Sequence, residues 1–451
     1  MTSLGQQVLA VLGEQPVPGR YLIGYSGGLD SSVLLHVLAR ARDSLAAPVV
    51  AVHVNHGIQA EAVSWERHCR SSCDAWGIPL VARRVNVDQH HPKGLEAAAR
   101  EARYGAFRQQ MAEGDMLLTA HHLDDQAETL LLRLMRGSGV RGLGAMPRLR
   151  RFDPGWHSRP LLTQPRGALE SYAREHGFEW ITDASNRDDR FDRNYLRHRV
   201  LPVLRRRWPA IDRVLGRAAE LAREADALIS EVVDQDLERM ARGNRLDLAA
   251  WESLSGERQR AVLRHWLDSL QLPVPDSHRL RELQRQVIAA GEERAPCVSW
   301  PGGEVHRYRN GLYASAPLPA LDRGTVIALV PGEPAQLPAE LGYVQVSGSL
   351  TAEVLEIRFR RGRERCRIRD SHRTLKNLFQ DLGVPPWLRQ RVPLVFADGN
   401  LAWVADWYCC GPQAQGLDVA WKPGRGWPLT TDARRPQEGT DKRVYEERGP
   451  G

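Results

Sequence analysis

The stretch Tyr21-Leu22-Ile23-Gly24-Tyr25-Ser26-Gly27-Gly28-Leu29-Asp30-Ser31-Ser32 decides the fold. Its first five residues form an apolar run of the length expected for a buried strand. Residues 31–42 then repeat apolar positions at helical spacing. Outward from this point the alternation recurs. Residues 49–54 (VVAVHV), 80–87 (LVARRVNV) and 116–120 (MLLTA) read as further buried parallel strands, with helices over 60–76 and 95–113. Leu95, Ala98, Ala99, Ala102 and Phe107 share one face of the latter. Strand–helix alternation of this kind gives an α/β fold, a doubly wound parallel sheet whose ligands gather at the carboxyl ends of the strands.

A chain of 451 residues is too long for one core of ordinary size. The expected organisation is an α/β domain over 1–215, an all-helical middle domain over 216–320 and a small α+β domain over 350–425. Residues 218–239 carry Leu221, Ala225, Leu228, Val232 and Leu237 on one face, and 257–270 and 278–290 repeat the style. Short β-like runs follow around 296–347, and the tail after Trp427 is polar and reads as disordered. Hydrophobic residues at 42% and charged residues at 26% exclude a wholly disordered, collagen-like or coiled-coil chain. No stretch approaches roughly 18 apolar residues, so no membrane helix and no membrane partner are expected. Six Cys are too few for a disulfide scaffold, and with no signal-peptide pattern at the start the reading is a cytoplasmic protein. The net charge is +7, and of 62 basic residues only Lys93, Lys376, Lys422 and Lys442 are lysines. Arginine forks match phosphates and stack on bases, which suits an RNA partner.

Two clusters carry the chemistry. In the loop Ser26-Gly27-Gly28-Leu29-Asp30-Ser31, the glycines let the backbone approach an anion, and the helix start supplies free N–H groups and the positive dipole end. With no lysine before residue 93, it is not a GxxxxGK[ST] phosphate loop. The second cluster, His121-His122-Leu123-Asp124-Asp125-Gln126-Ala127-Glu128-Thr129, directly follows the strand at 116–120. Asp125 and Glu128 stand at i, i+3 on one helical face, able to hold Mg²⁺ or a cationic substrate. His122 is placed to move a proton near neutral pH. No further Cys or His pattern completes a zinc site around it, and no metal ligands are assigned.

The loop resembles the SGGxDS loop of the N-type ATP pyrophosphatases, and with HHLDDQAET the chain resembles the tRNA(Ile)-lysidine synthetase family. The resemblance continues through Val52-His53-Val54-Asn55-His56-Gly57, Glu96, Arg100, Arg103-Tyr104, Arg136-Gly137-Ser138-Gly139, Arg159-Pro160-Leu161-Leu162, Asp183-Ala184-Ser185-Asn186 and Arg193-Asn194-Tyr195-Leu196-Arg197. Leu375-Lys376-Asn377-Leu378-Phe379-Gln380 and Val384-Pro385-Pro386-Trp387-Leu388-Arg389 extend it to about residue 422. It implies an adenine nucleotide alpha hydrolase-like sheet and an ATP-dependent ligase. The enzyme would join free L-lysine to carbon 2 of the wobble cytidine of a tRNA(Ile) with anticodon CAU, through an adenylated intermediate. Implied too are ATP with Mg²⁺ bound by Ser26, Gly27, Gly28, Leu29, Asp30 and Ser31, catalytic roles for Asp30, Asp125, Glu128, His122 and Arg197, and tRNA contacts at Lys376 and Arg389. A homodimer is left open.

The run Arg358-Phe359-Arg360-Arg361-Gly362-Arg363-Glu364-Arg365-Cys366-Arg367-Ile368-Arg369 holds seven Arg and one acid. It reads as a strand with one buried face and Arg360, Arg361 and Arg363 set against tRNA phosphates; a solvated edge strand is the plainer alternative. The cysteines, including Cys69, Cys73 and the adjacent Cys409-Cys410, read as packing residues. No C-x-x-C is present, which argues against a tRNA thiolase of the same fold. A silent RNA-binding module that keeps the loop as an ATP sensor would not need the full acid set.

Overall fold

The computed structural model describes residues 3–57, 61–88, 90–92, 94–183, 188–289, 296–348, 353–362, 364–368, 371–414, 416–425 and 427–428. Arg363, Ser185, Asn186 and nearly all of the tail after Trp427 lie outside the described residues. The chain divides into two compact units, Met1–Leu228 and Ile229–Gly451. Among the described residues no helix is long and apolar enough to cross a membrane.

The first unit runs α1 (Leu4–Gly13), β1 (Tyr21–Gly24), α2 (Leu29–Arg40), β2 (Val49–Asn55), α3 (Ala62–Trp76), β3 (Leu80–Arg84), α4 (Leu95–Gln110), β4 (Met116–Leu118), α5 (Leu123–Met135), α6 (Val140–Leu143), β5 (Leu149–Phe152), β6 (Gly155–Ser158), α7 (Arg166–Glu175), α8 (Asp192–Tyr195), α9 (Leu201–Arg207) and the first part of α10 (Ile211–Met240), whose last residues belong to the second unit. Strand order is β3-β2-β1-β4-β6-β5, parallel except for β5. Period-two alternation splits the strands between two layers. Tyr21, Ile23, Ala51, Met116 and Leu118 pack with Val8, Leu34, Leu38, Cys69 and Leu169, whereas Leu22, Val52 and Leu117 meet Phe107 of α4 and Met111 just after it. The chain winds from β1 out to β3 and returns to add β4 on the other side of β1. That reversal opens a crevice between the loops following β1 and β4, where a doubly wound sheet binds its ligand. The strand at 80–87 is shorter than expected and half-exposed, because it is the sheet edge. Helix α1 and the β5–β6 hairpin were not expected; the latter is short and arginine-rich, without a buried-strand pattern.

The second unit continues with β7 (Ala241–Arg242), β8 (Arg245–Asp247), α11 (Leu248–Glu252), α12 (Gly256–Ser269), α13 (Ser277–Ala289), β9 (Cys297–Trp300), β10 (Gly303–Arg307) and β11 (Gly311–Ser315). The helices read from the middle sequence are present, and an antiparallel sheet β7-β8-β11-β10-β9 joins them around Trp251, Leu263, Trp266 and Leu280. The apolar stripe on α10 is not the buried one. Leu221, Leu228 and Val232 are exposed, while Ala219, Val233 and Met240 are buried. Periodicity identifies an amphipathic helix but not which face finds a partner.

After these come β12 (Val326–Ala328), β13 (Pro334–Gln336), β14 (Tyr343–Gly348), β15 (Leu355–Phe359), β16 (Arg365–Ile368), β17 (Ser371–Thr374), α14 (Leu375–Asp381), β18 (Pro393–Ala397), β19 (Asn400–Val404), β20 (Tyr408–Cys409) and β21 (Leu417–Lys422). β14 pairs along its whole length with β21, which draws strands ahead of residue 350 into the C-terminal sheets. The arginine run is not one strand. It leaves β15 after Phe359, turns at Gly362 and re-enters as β16 of a β16–β17 hairpin, with Phe359 and Cys366 buried.

Cys366 and Cys410 are not packing thiols but form a disulfide across a sequence separation of 44. No spacing rule announces a bond between a hairpin strand and a distant turn. Cutting a loop of that length should cost roughly 2–4 kcal/mol of stability. The denaturant midpoint of the oxidised protein should therefore exceed that of the reduced one, and coincident midpoints would show that the bond adds nothing.

Candidate active site

The loop after β1 is tied by its own hydroxyls. The Ser26 amide donates to Ser31 Oγ (3.2 Å), Ser31 Oγ donates to Gly28 O (3.1 Å), and the Ser26 and Ser31 hydroxyls lie 3.1 Å apart. Gly27 has φ +78°, and a Cβ there would meet Ile181 Cδ1 at 2.6 Å, so only glycine fits. The Ile181 amide donates to Gly27 O at 2.9 Å, and Gly28 caps α2 in extended conformation with no side chain over the free N–H groups. Leu29 contributes backbone here, its side chain being buried in the core. Asp30, on the first turn of α2, keeps Oδ1 buried and without a hydrogen-bond donor among the described residues.

Across the crevice, the His122 amide caps onto Asp125 Oδ2 at 3.1 Å, starting α5. The His122 ring is 1% exposed and faces three carboxylates: Asp30 at 3.6 Å, Asp124 at 3.7 Å and Asp125 at 3.4 Å. Burial alone would lower its pKa, but Asp125 and Asp30 outweigh that and raise it. The carboxylates around it thus favour the protonated form of His122. Asp124 is spent on structure, accepting from Arg205 (2.5 Å) and the Arg166 amide (3.0 Å).

Asp125 and Glu128 do share a face, and both are buried. Two guanidiniums clamp them. Arg193 Nε donates to Glu128 Oε2 (2.7 Å) and its Nη2 to Asp125 Oδ1 (2.9 Å). Arg197 Nε donates to Glu128 Oε1 (2.6 Å), with Nη2 reaching Glu128 Oε2 (2.9 Å) and Asp125 Oδ1 (3.1 Å). Burial opposes the charge on Asp125, yet His122 and Arg193 hold its carboxyl well below the usual range. Arg197 lies on a π-helical turn, Leu196–Val200, continuing α8, a geometry frequent at functional sites. Sequence reasoning named Arg197 but not its partner Arg193. Their i, i+4 spacing, two cations on one face, was the available signal.

A second set went unread. Arg150 Nε and Arg159 Nη2 both lie 3.3 Å from His157 Nδ1. His157 Nε2 is 2.8 Å from Thr119 Oγ1, which is 2.8 Å from His121 Nδ1. Guanidiniums only donate, so His157 accepts at Nδ1 and carries its proton on Nε2. Thr119 Oγ1 then accepts from His157 and also hydrogen-bonds His121 Nδ1. Burial lowers the pKa of both rings, that of His121 to about 3, so both are neutral.

In the second unit, Arg360 and Lys376 do come together. With Gly362, Glu364, Arg365, Thr374 and Leu375 they line a cavity of about 390 Å³. Arg361 lies outside that lining and donates to the carbonyls of Arg323 (3.4 Å) and Gly324 (3.2 Å). Arg389 also lies outside that lining and donates to Val384 O (2.9 Å) and Tyr308 Oη (3.3 Å). A motif arginine flanked by prolines gives no sign that it will be used internally.

Comparison with known proteins identifies this arrangement. Residues 2–204 match the PP-loop domain model, 246–313 the TilS substrate binding domain and 355–421 the TilS substrate C-terminal domain. The tRNA(Ile)-lysidine synthase of Alkalilimnicola ehrlichii is 42% identical over 86% of this chain and 88% of that one. The namesake enzymes of Coxiella burnetii and Shigella flexneri are 37% and 40% identical, covering 89% and 83% of this chain and 92% and 89% of theirs. Among solved structures, the U34-tRNA thiolase NcsA from Methanococcus maripaludis with its [4Fe-4S] cluster matches at 18% identity and a TM-score of 0.41, over 49% of this chain and 78% of that one, too slight a likeness to argue from. A PP-loop crevice with its acid cluster, followed by both substrate domains, places the chain in the tRNA(Ile)-lysidine synthase family, as an ATP-dependent ligase acting on tRNA.

Proposed function

We propose that this chain joins free L-lysine to carbon 2 of the wobble cytidine in the CAU anticodon of an isoleucine tRNA. In the first half-reaction the cytosine O2 attacks the α-phosphorus of ATP, and pyrophosphate leaves. In the second, a lysine amine attacks C2, the C2–O2 bond breaks, AMP departs with that oxygen, and the amine gives up a proton. The loop from Ser26 to Ser31 holds the phosphates through backbone N–H groups and hydroxyls, setting ATP in line. Asp30 Oδ1, a buried carboxylate oxygen without a donor, fits Mg²⁺; when bound, the ion would neutralise phosphate charge. The observation that carries the lysine assignment is the Asp125–Glu128 pair, buried beside the loop and already satisfied by cations. Arg193 and Arg197 keep both carboxylates aligned, and an arriving ammonium takes a share of the same oxygens.

The test is incorporation of labelled lysine into a CAU-anticodon tRNA(Ile) transcript, with pyrophosphate followed in the same reaction. Lysine- and tRNA-dependent turnover is expected. Pyrophosphate release without lysine on the tRNA would sink the reading.

Arg360, Arg365 and Lys376 are proposed to seat a tRNA phosphate. Each lost phosphate contact flattens the slope of log K against log salt by about 0.9. Replacing Arg360 and Lys376 by Ala should weaken tRNA binding, lower the slope by about 1–2 and leave the KM for ATP unchanged. An unaltered slope would return the run to a solvated edge.

A further inference from the structure

The β9–β10 hairpin gathers three metal-ligating side chains that the tRNA chemistry does not use. Its turn is Pro301-Gly302, with Gly302 at φ +84°, the pattern of a two-residue turn with proline first and glycine second. That turn fixes the register: Trp300 faces Gly303, Val298 faces Val305 and Cys297 faces His306. Val298, Trp300 and Val305 enter the core, so Cys297, Glu304 and His306 share the opposite face.

On that face Cys297 Sγ lies 3.7 Å from His306 Nε2, and His306 Nε2 lies 3.0 Å from Glu304 Oε1. All three candidate ligand atoms fall within 4.8 Å of one another. A tetrahedral zinc ion, with bonds of about 2.3 Å to sulfur and 2.0–2.1 Å to nitrogen and oxygen, sets S···N at about 3.6 Å and N···O at about 3.3 Å. The observed separations bracket those values within a few tenths of an ångström. The ligands are also oriented by neighbours. The His306 ring stacks on Trp387 at 4.1 Å and 14°, and Ser315 Oγ donates to Glu304 Oε1 at 3.3 Å. Side-chain exposure is 11% for His306 and 15% for Glu304, and Cys297 is exposed, which leaves the site reachable from solvent.

We propose that Cys297, Glu304 and His306 bind Zn²⁺, with the fourth position open to water. Thiolate, imidazole and carboxylate together select zinc over magnesium or calcium, and three protein ligands leave one coordination place free. Binding replaces the thiol proton of Cys297 with the metal. Because His306 stacks on Trp387 in the segment 384–391, the ion would fix this hairpin face at its contact with that segment.

The test uses the full chain, stripped with a chelator and kept free of reductant so that Cys366–Cys410 stays closed. Calorimetric titration with Zn²⁺ alone should give one equivalent, and Co²⁺ should give tetrahedral d–d bands with a thiolate charge-transfer band. Cys297→Ser replaces an exposed side chain isosterically, so it should fold normally. It should abolish the charge-transfer band and weaken Zn²⁺ at least about 10²-fold, the upper range for losing a mere supporting partner. Glu304→Gln should weaken Zn²⁺ while keeping the band. Absence of uptake, or uptake unchanged in Cys297→Ser and therefore owed to Cys69, Cys73 or Cys409, would overturn the proposal.

Discussion

Asp30→Asn should lower lysidine formation by more than about 10²-fold and leave tRNA affinity intact. The substitution keeps shape but removes the charge of a carboxylate whose Oδ1 is buried and undonated. It also puts an amide in place of one of the carboxylates that face the His122 ring, 3.6 Å away, loosening the contact across the crevice. Preorganised charge at a site of transferring phosphate is the costliest element to delete. Single-turnover formation of the adenylated tRNA and filter binding of tRNA, measured on the same preparation, separate the two effects. Near-normal turnover would remove Asp30 from the reaction.

Glu128→Gln is expected to be as severe, with a different signature. Glu128 is fully buried and accepts three of the five bonds that the Arg193 and Arg197 guanidiniums give to the pair. Losing its charge leaves two half-buried guanidiniums against Asp125 alone, and breaking an ion pair whose acid is buried costs up to about 3–5 kcal/mol. The kcat/KM for lysine should fall about 10²-fold or more while the KM for ATP moves little, and the unfolding midpoint should drop as well. Equal losses for the two substrates would mean that Glu128 serves the nucleotide and not the amine.

The crevice was legible because its two halves are local. Each motif follows a strand whose apolar run is visible, and the winding rules of parallel sheets bring the ends of β1 and β4 together. What stayed hidden depends on distance in sequence. Arg193 reaches Glu128 from 65 residues downstream, and Cys366 finds Cys410 only through the packing of hairpin and sheet. Arg389 reaches Tyr308 from 81 residues away, a bond that no motif in the sequence announces. The triad Cys297, Glu304 and His306 has no conventional ligand spacing; cross-strand register creates it. On α10 the error ran the other way: a clean apolar stripe was visible, but the burial fell on Ala219, Val233 and Met240.

The chain of contacts from Arg150 and Arg159 runs through His157 and Thr119 to His121, the immediate neighbour of His122. The guanidiniums fix the tautomer of His157, and Thr119 Oγ1 links that ring to His121 Nδ1. His122, ringed by carboxylates, is biased toward the fully protonated form. The two neighbouring imidazoles thus stand in opposite settings, His121 turned toward its neutral form by burial and His122 drawn toward its protonated form by the carboxylates around it.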